Sequence, residues 1–137
     1  MGSRMCNSLL CLALLLPVST ASVSFAQVSA EKVHAVIEEL DVKVPMRDGV
    51  LLSTNIYRPD APGRFPALLI RTPYGNGGSG NGGGRYFAER GYVSVWQDTR
   101  GRYESEGLFY PAFFETGDGL DTQKWVTEQP WCNGKLG

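Results

Sequence analysis

Apolar and polar positions alternate over residues 40–46: Leu40, Val42, Val44 and Met46 fall on one side, Asp41 and Lys43 on the other, with Glu39 continuing the polar row. A period of two predicts a half-buried strand. Asp48-Gly49 comes next, a strong signal for a tight hairpin, and residues 51–57 resume as a second strand with Leu52, Thr54 and Ile56 on one face. The turn-rich stretch 58–63 (RPDAPG) ends this hairpin. The pattern then changes. Ala67, Leu68, Leu69 and Ile70 form an unbroken apolar run, which suits a parallel strand covered on both faces. Pro73 disfavours helix at Thr72 and stops the ladder, so Tyr74 is expected at the strand tip, the end where α/β proteins place their sites.

Residues 75–84 (GNGGSGNGGG) carry seven of the chain's 17 glycines. A phosphate cradle would need Lys and Ser/Thr after the last glycine, and Arg85-Tyr86-Phe87 stands there instead. The segment therefore reads as a low-complexity excursion beside a site, and a nucleotide-binding βαβ protein is disfavoured. A short helix over residues 85–90 stops at Gly91, and residues 92–97 form the next apolar strand. Residues 66–107 thus predict a βαβ unit, and the fold class is α/β: an antiparallel hairpin leading into a parallel sheet.

At the end of the unit's second strand, Asp98 and Arg100 are expected to satisfy each other and nearby backbone rather than to act chemically. The stretch 102–107 (RYESEG) is a polar loop, and the aromatic-rich stretch 108–114 is expected to lie against the sheet. Residues 115–129 predict a helix with Leu120, Trp125 and Val126 as its apolar stripe and acidic residues in its first turns, as the helix dipole prefers. Asp118 and Asp121 share a face and could suggest acid/base chemistry. Near a helix start they read as capping or solvated carboxylates. Residues 130–134 form a turn, and residues 135–137 begin another strand.

Composition changes the picture mainly at the N-terminus. Arg4, the apolar run 9–18 (LLCLALLLPV), and Ser24 and Ala26 before Gln27 have the three parts of a signal peptide over residues 1–26. The run is shorter than the about 20 residues that span a bilayer, so the chain from Gln27 onward is expected to be exported and free of the membrane. Residues 27–39 then read as an N-terminal tail, with the single histidine, His34, exposed in it, and residues 40–137 as the domain. Only Cys132 lies beyond the signal segment, so neither a disulfide framework nor a metal cluster is expected, and nothing points to a cofactor. With 13 Lys+Arg against 14 Asp+Glu, the net charge of −1 gives no electrostatic case for nucleic acid. Oligomeric state is left open.

Six blocks in order carry a resemblance: Met46–Leu52 (MRDGVLL), Tyr57-Arg58-Pro59, Arg71-Thr72-Pro73-Tyr74, residues 97–101 (QDTRG), Ser105-Glu106-Gly107, and residues 131–137 (WCNGKLG). The chain resembles the N-terminal part of the cocaine-esterase and Xaa-Pro dipeptidyl-peptidase group (CocE/NonD type) of α/β-hydrolases, which includes α-amino-acid ester hydrolases and glutaryl acylases. The resemblance implies a serine hydrolase acting on small-molecule esters, amides or peptides, with a histidine and an aspartate behind the serine. It implies for Tyr74 the role of oxyanion-hole donor, shared with the backbone N–H after the serine. The family's serine would come about five residues beyond Gly137, on the elbow after the strand that Lys135 begins, and its aspartate and histidine later. The chain as given is thus expected to stop before its nucleophile, to hold no nucleophile, acid or base of the family mechanism, and to be inactive alone. The glycine-rich loop at 75–84 departs from the shorter loops usual after that tyrosine. The alternative reading is a non-catalytic exported α/β binding module.

Overall fold

A computed structural model describes residues 33–77 and 81–137. The expected signal segment (1–26), the first residues of the expected tail (27–32) and residues 78–80 of the glycine-rich stretch lie outside the described residues. Among the described residues five strands form one mixed sheet: β1 (Val36–Pro45), β2 (Leu51–Pro59), β3 (Phe65–Thr72), β4 (Val93–Asp98) and β5 (Cys132–Leu136), in the spatial order β1-β2-β4-β3-β5. Two helices join them, α1 (Asn81–Glu89) between β3 and β4 and α2 (Glu115–Glu128) between β4 and β5. The pairs β1–β2 and β2–β4 are antiparallel, and β3 is parallel to both β4 and β5.

The hairpin forms where alternation and Asp-Gly placed it. Gly49 takes φ +84, a left-handed conformation that other residues adopt only with strain, and the Gly49 N–H donates to the Met46 carbonyl. The first strand begins at Val36, ahead of the alternating stretch. A bulge between Glu39 and Val42 shifts the register, with Asp41 at φ 54. There the Asp41 N–H donates to Asn55 Oδ1 (2.9 Å) and the Ser53 hydroxyl to the Asp41 carboxylate (2.8 Å). The bulge inverts the side-chain phase, which hides the strand's first half from a period-two pattern. His34 is accordingly docked rather than free: its backbone N–H donates to the Glu89 carbonyl and its ring stands edge-on to Phe65.

The helices cover opposite faces of the sheet. On one face α2 packs Val126, with half-buried Trp125, against Ile56, Ala67, Val93, Val95 and Cys132. Burial of each large side chain there contributes about 1.5–3 kcal/mol. On the other face α1 lies over β2 and β4, where Gly84 sits directly on the Tyr57 ring and Gly83 on Trp96. Leu68 and Ile70 of β3 stay half-buried.

Two expectations about packing around α2 fail as well. Leu120 points outward and is 54% exposed. The buried face of α2 is Asp118, Thr122 and Val126, spaced by four, because Gln97 and Arg100 supply polar partners for the first two. The stretch 108–114 does not lie against the sheet; Phe113 is 79% exposed, and Leu108 and Tyr110 are open as well. This segment joins β4 to α2 past the end of the sheet, where Phe109, Pro111 and Ala112 stand beside Arg71, Pro73 and Thr99 at the tips of the strands.

Candidate active site at the strand ends

The carboxyl ends of β3 and β4 meet at one level, with Thr72 opposite Asp98 in the ladder. Pro73 ends β3 there, and the Thr72 hydroxyl accepts the Tyr74 N–H at 3.1 Å, closing a short turn. Tyr74 leaves that turn with 80% of its surface exposed. Behind it the chain is anchored by Asn76, which is buried and joined to the sheet: its side chain donates to the Ser53 hydroxyl (3.0 Å), and Asn55 Nδ2 donates to its carboxamide oxygen (3.0 Å). Tyr74, Asn76, Asp98, Tyr103 and Glu104 line a cavity of about 270 Å³ together with Gly75 and Gly77. A phenol held this way can donate one hydrogen bond into a space bounded by the sheet end.

Asp98 and Arg100 do not pair, contrary to expectation. Alternation along β4 sends Asp98 to the side of α1 and Asn76, while the chain turns after it and Arg100 reaches the side of α2. The Arg100 guanidinium binds Asp118 through Nε (3.0 Å) and Nη2 (2.6 Å), and Asp48 through Nη1 (2.7 Å) and Nη2 (3.1 Å). Its hydrogen bonds hold the Asp48 carboxyl below the ordinary carboxylate value, and the two carboxylates push the guanidinium's own pKa up. Asp121 pairs with Arg47 (2.7 Å), which likewise holds its carboxyl down. The helix start has Phe114 at its cap with no side-chain capping bond. Asp118 and Asp121 are therefore ion-pair partners, neither caps nor solvated carboxylates, and they tie α2 to the hairpin turn and the loop after β4.

Asp98 is only 1% exposed, and neither carboxylate oxygen has a hydrogen-bond partner among the described residues. Burial pushes its pKa up, opposed by the nearby backbone N–H groups of Asn76 and Glu104, which do not close hydrogen bonds to it. Ser105 is buried with its hydroxyl committed to backbone: it donates to the Asp98 carbonyl (2.8 Å) and accepts the Ser53 N–H (2.8 Å). His34 sits by Phe65 and Gly91, at the amino ends of β3 and β4, a strand length away from Tyr74. Asn55 and Asn76 escape the sequence pattern; the available signal is an asparagine in the middle of a strand otherwise buried along its length.

The strand order with its parallel β4-β3-β5 core, helices on both faces and a tyrosine turn at the end of β3 defines an α/β-hydrolase. The chain belongs to the X-Pro dipeptidyl-peptidase (S15) family, whose sequence model matches residues 48–137, and the family is one of hydrolases of the esterase and peptidase type. The chain is 44% identical over 102 residues to the cocaine esterase of Rhodococcus sp. (strain MB1 Bresler), a match covering 71% of this chain and 18% of that protein. Among solved structures, an α-amino acid ester hydrolase superposes with a TM-score of 0.64 at 31% identity, over 90% of this chain and 24% of that one. A CocE/NonD family hydrolase from Staphylococcus aureus superposes with a TM-score of 0.68 at 28% identity, over 74% of this chain and 22% of that one. The chain thus spans under a quarter of the length of each of these relatives.

Proposed function

We propose that this chain is the N-terminal part of an exported serine hydrolase that cleaves ester or amide bonds of small molecules or peptides through an acyl-enzyme, with Tyr74 as one oxyanion donor. The observation that carries the reading is Tyr74 itself, an exposed phenol on a fixed turn at the carboxyl end of β3. The register of β5 supports it. Leu136 lies opposite Ala67, and β3 runs five residues further to Thr72. A β5 continued in this register reaches the level of Tyr74 where a strand-to-helix elbow would present a serine. In the proposed reaction that serine attacks the carbonyl as the histidine takes its proton. The carbonyl oxygen becomes an oxyanion, and the phenol O–H of Tyr74 and the backbone N–H after the serine donate to it. Collapse expels the alcohol or amine, which receives the proton from the histidine, and water repeats the sequence on the acyl-enzyme. The signal-like pattern of residues 1–26 supports export.

The test is Tyr74→Phe in the complete hydrolase, assayed on a chromogenic ester. Loss of one oxyanion donor slows kcat by about 10²-fold or more. Unchanged turnover in a folded enzyme removes the role. A complete protein with no turnover on esters, amides or Xaa-Pro peptides favours a binding module instead.

A further inference from the structure

Among the described residues no hydrogen bond holds the Tyr74 phenol, and its side chain is largely in solvent. Its direction is therefore set by the backbone of Pro73 and Gly75 on either side. Both of these are gripped by the loop after β4. Arg102 Nε donates to the Pro73 carbonyl at 3.0 Å, the peptide that leads into Tyr74. The Tyr103 ring packs against Gly75, where an added Cβ would stand 3.3 Å from Cε1 and Cζ of the ring. The Arg102 guanidinium stands over the Tyr103 ring (5.5 Å) and over the Phe109 ring (5.2 Å), cation–π contacts that help orient its planar fork.

The gripping loop is built to stay in place. Ser105 bolts it to β2 through the Ser53 N–H and to β4 through the Asp98 carbonyl. The Glu106 carboxylate accepts the Leu51 N–H (3.1 Å), and the Glu106 N–H donates to the Leu51 carbonyl (3.0 Å). Lys43 Nζ donates to the Glu104 carbonyl at 2.8 Å. Within this frame Tyr103 takes φ 47, a left-handed conformation that is an outlier for a bulky side chain. Strain of this kind persists only where the surroundings over-determine it, and it clusters at functional sites.

We propose that Arg102 and Tyr103 are positioning residues that clamp the Tyr74 turn from both sides and so fix the direction of its phenol. The clamp rests on the reading of Tyr74 as an oxyanion donor. It also predicts that the polar stretch 102–107 is needed for rate rather than for substrate binding. The experiment is a double-mutant cycle in the complete hydrolase, with kcat, KM and the urea midpoint measured for Tyr74→Phe, Arg102→Ala and the pair. Because displacements of about 1 Å at a reacting group cost up to about 10²-fold, Arg102→Ala is expected to lower kcat about tenfold with KM unchanged. In the Tyr74→Phe background the same change is expected to have no further effect on kcat. A tenfold loss in both backgrounds, or a loss that appears in KM, overturns the clamp while leaving the donor role intact. A Tyr74→Phe enzyme with full kcat overturns the donor role and the clamp with it. Tyr103→Gly guards against misfolding: glycine accepts the positive φ, so the backbone is kept while the ring is removed. The clamp requires this variant to lower kcat in an enzyme whose urea midpoint is no lower than that of the wild type, since glycine relieves the strain at this φ; full kcat, or a loss of kcat only with a lowered midpoint, overturns the part assigned to the ring.

Discussion

Arg100→Met isolates the charge network that joins the start of α2 and the hairpin turn to the sheet. Methionine keeps an unbranched stem and removes the guanidinium, so the packing under Phe114, whose ring covers the guanidinium at 4.7 Å, changes little. The consequence falls on Asp118, which is buried and receives two of the guanidinium's bonds. Its remaining ion-pair partner among the described residues is Arg71, whose Nη2 stands 3.8 Å away, beyond a good hydrogen bond. Breaking a buried pair by removing one partner costs about 3–5 kcal/mol, because the other charge is left uncompensated. Arg71 places the expectation at the lower end, about 3 kcal/mol. Asp48, largely exposed, returns to water and adds little.

With a urea m-value of about 1–3 kcal/mol/M for a small domain, that loss lowers the unfolding midpoint by about 1–3 M. It is also a large share of the about 5–15 kcal/mol that holds a domain together. The titration is therefore run in an excluded osmolyte, which strengthens burial and keeps a native baseline, with Trp125 and Trp131 as fluorescent reporters. The control is Arg100→Met with Asp118→Leu, which removes the stranded carboxylate and should recover most of the loss. A single-variant cost below about 1 kcal/mol would refute the assignment of Arg100 as a buried electrostatic hub. So would a double variant as damaged as the sum of the two singles, since partners in one network should not add.

Two further expectations use the same readout. An alanine Cβ at Gly84 would stand 2.5 Å from Tyr57 Cδ2, so Gly84→Ala should cost about 1–3 kcal/mol by overpacking, whereas Gly117→Ala, with open space around it, should stabilise α2 by up to about 1 kcal/mol; equal effects at the two positions would contradict the packing of α1 on Tyr57. For Asp98 the folded pKa lies above the ordinary 3.8, so the native state binds more protons between those two values and stability falls as pH rises through that window. Asp98→Asn should remove this fall, making its advantage over wild type grow with pH and then level off, and a difference unchanged across the acid range would refute it.

Much of the fold could be read because local pattern and tertiary role agree in it. Alternation ending in Asp-Gly marks the hairpin, and the two apolar runs separated by a short helix mark β3-α1-β4. The features that escaped reading lie where a polar group does the work of an apolar one. The inward face of α2 is Asp118-Thr122-Val126 because β4 and its loop offer Gln97 and Arg100 to the first two, Thr122 donating to Gln97 Oε1 at 2.8 Å. Hydrophobic periodicity counts such positions as exterior and promotes Leu120 in their place. The stretch 108–114 failed for the converse reason: aromatic composition suggests burial, but burial needs a surface beneath, and this segment leaves the sheet before α2 begins.

At the strand ends, the exposed position of Tyr74 was legible through Pro73, which follows the last residue of β3 and stops the strand. The partners of the charges after β4 were not, because spacing along a strand end does not say where the chain turns. The turn itself explains the stretch 98–107. Gly101 takes φ +68, and a Cβ there would lie 2.3 Å from the Phe109 nitrogen, so only glycine can divide the segment at this point. The division sends Arg100 back toward α2 and the hairpin, and Arg102 forward to the Pro73 carbonyl. Ser105 and Glu106 then close the loop onto β2. Each of these polar groups is committed to holding strand ends, loop and turn together, and a group so committed is not free to transfer protons. An acid–base reading of Arg100, Arg102, Ser105 and Glu106 therefore fails on geometry, and their part is to hold in place the turn from which the Tyr74 side chain projects into solvent.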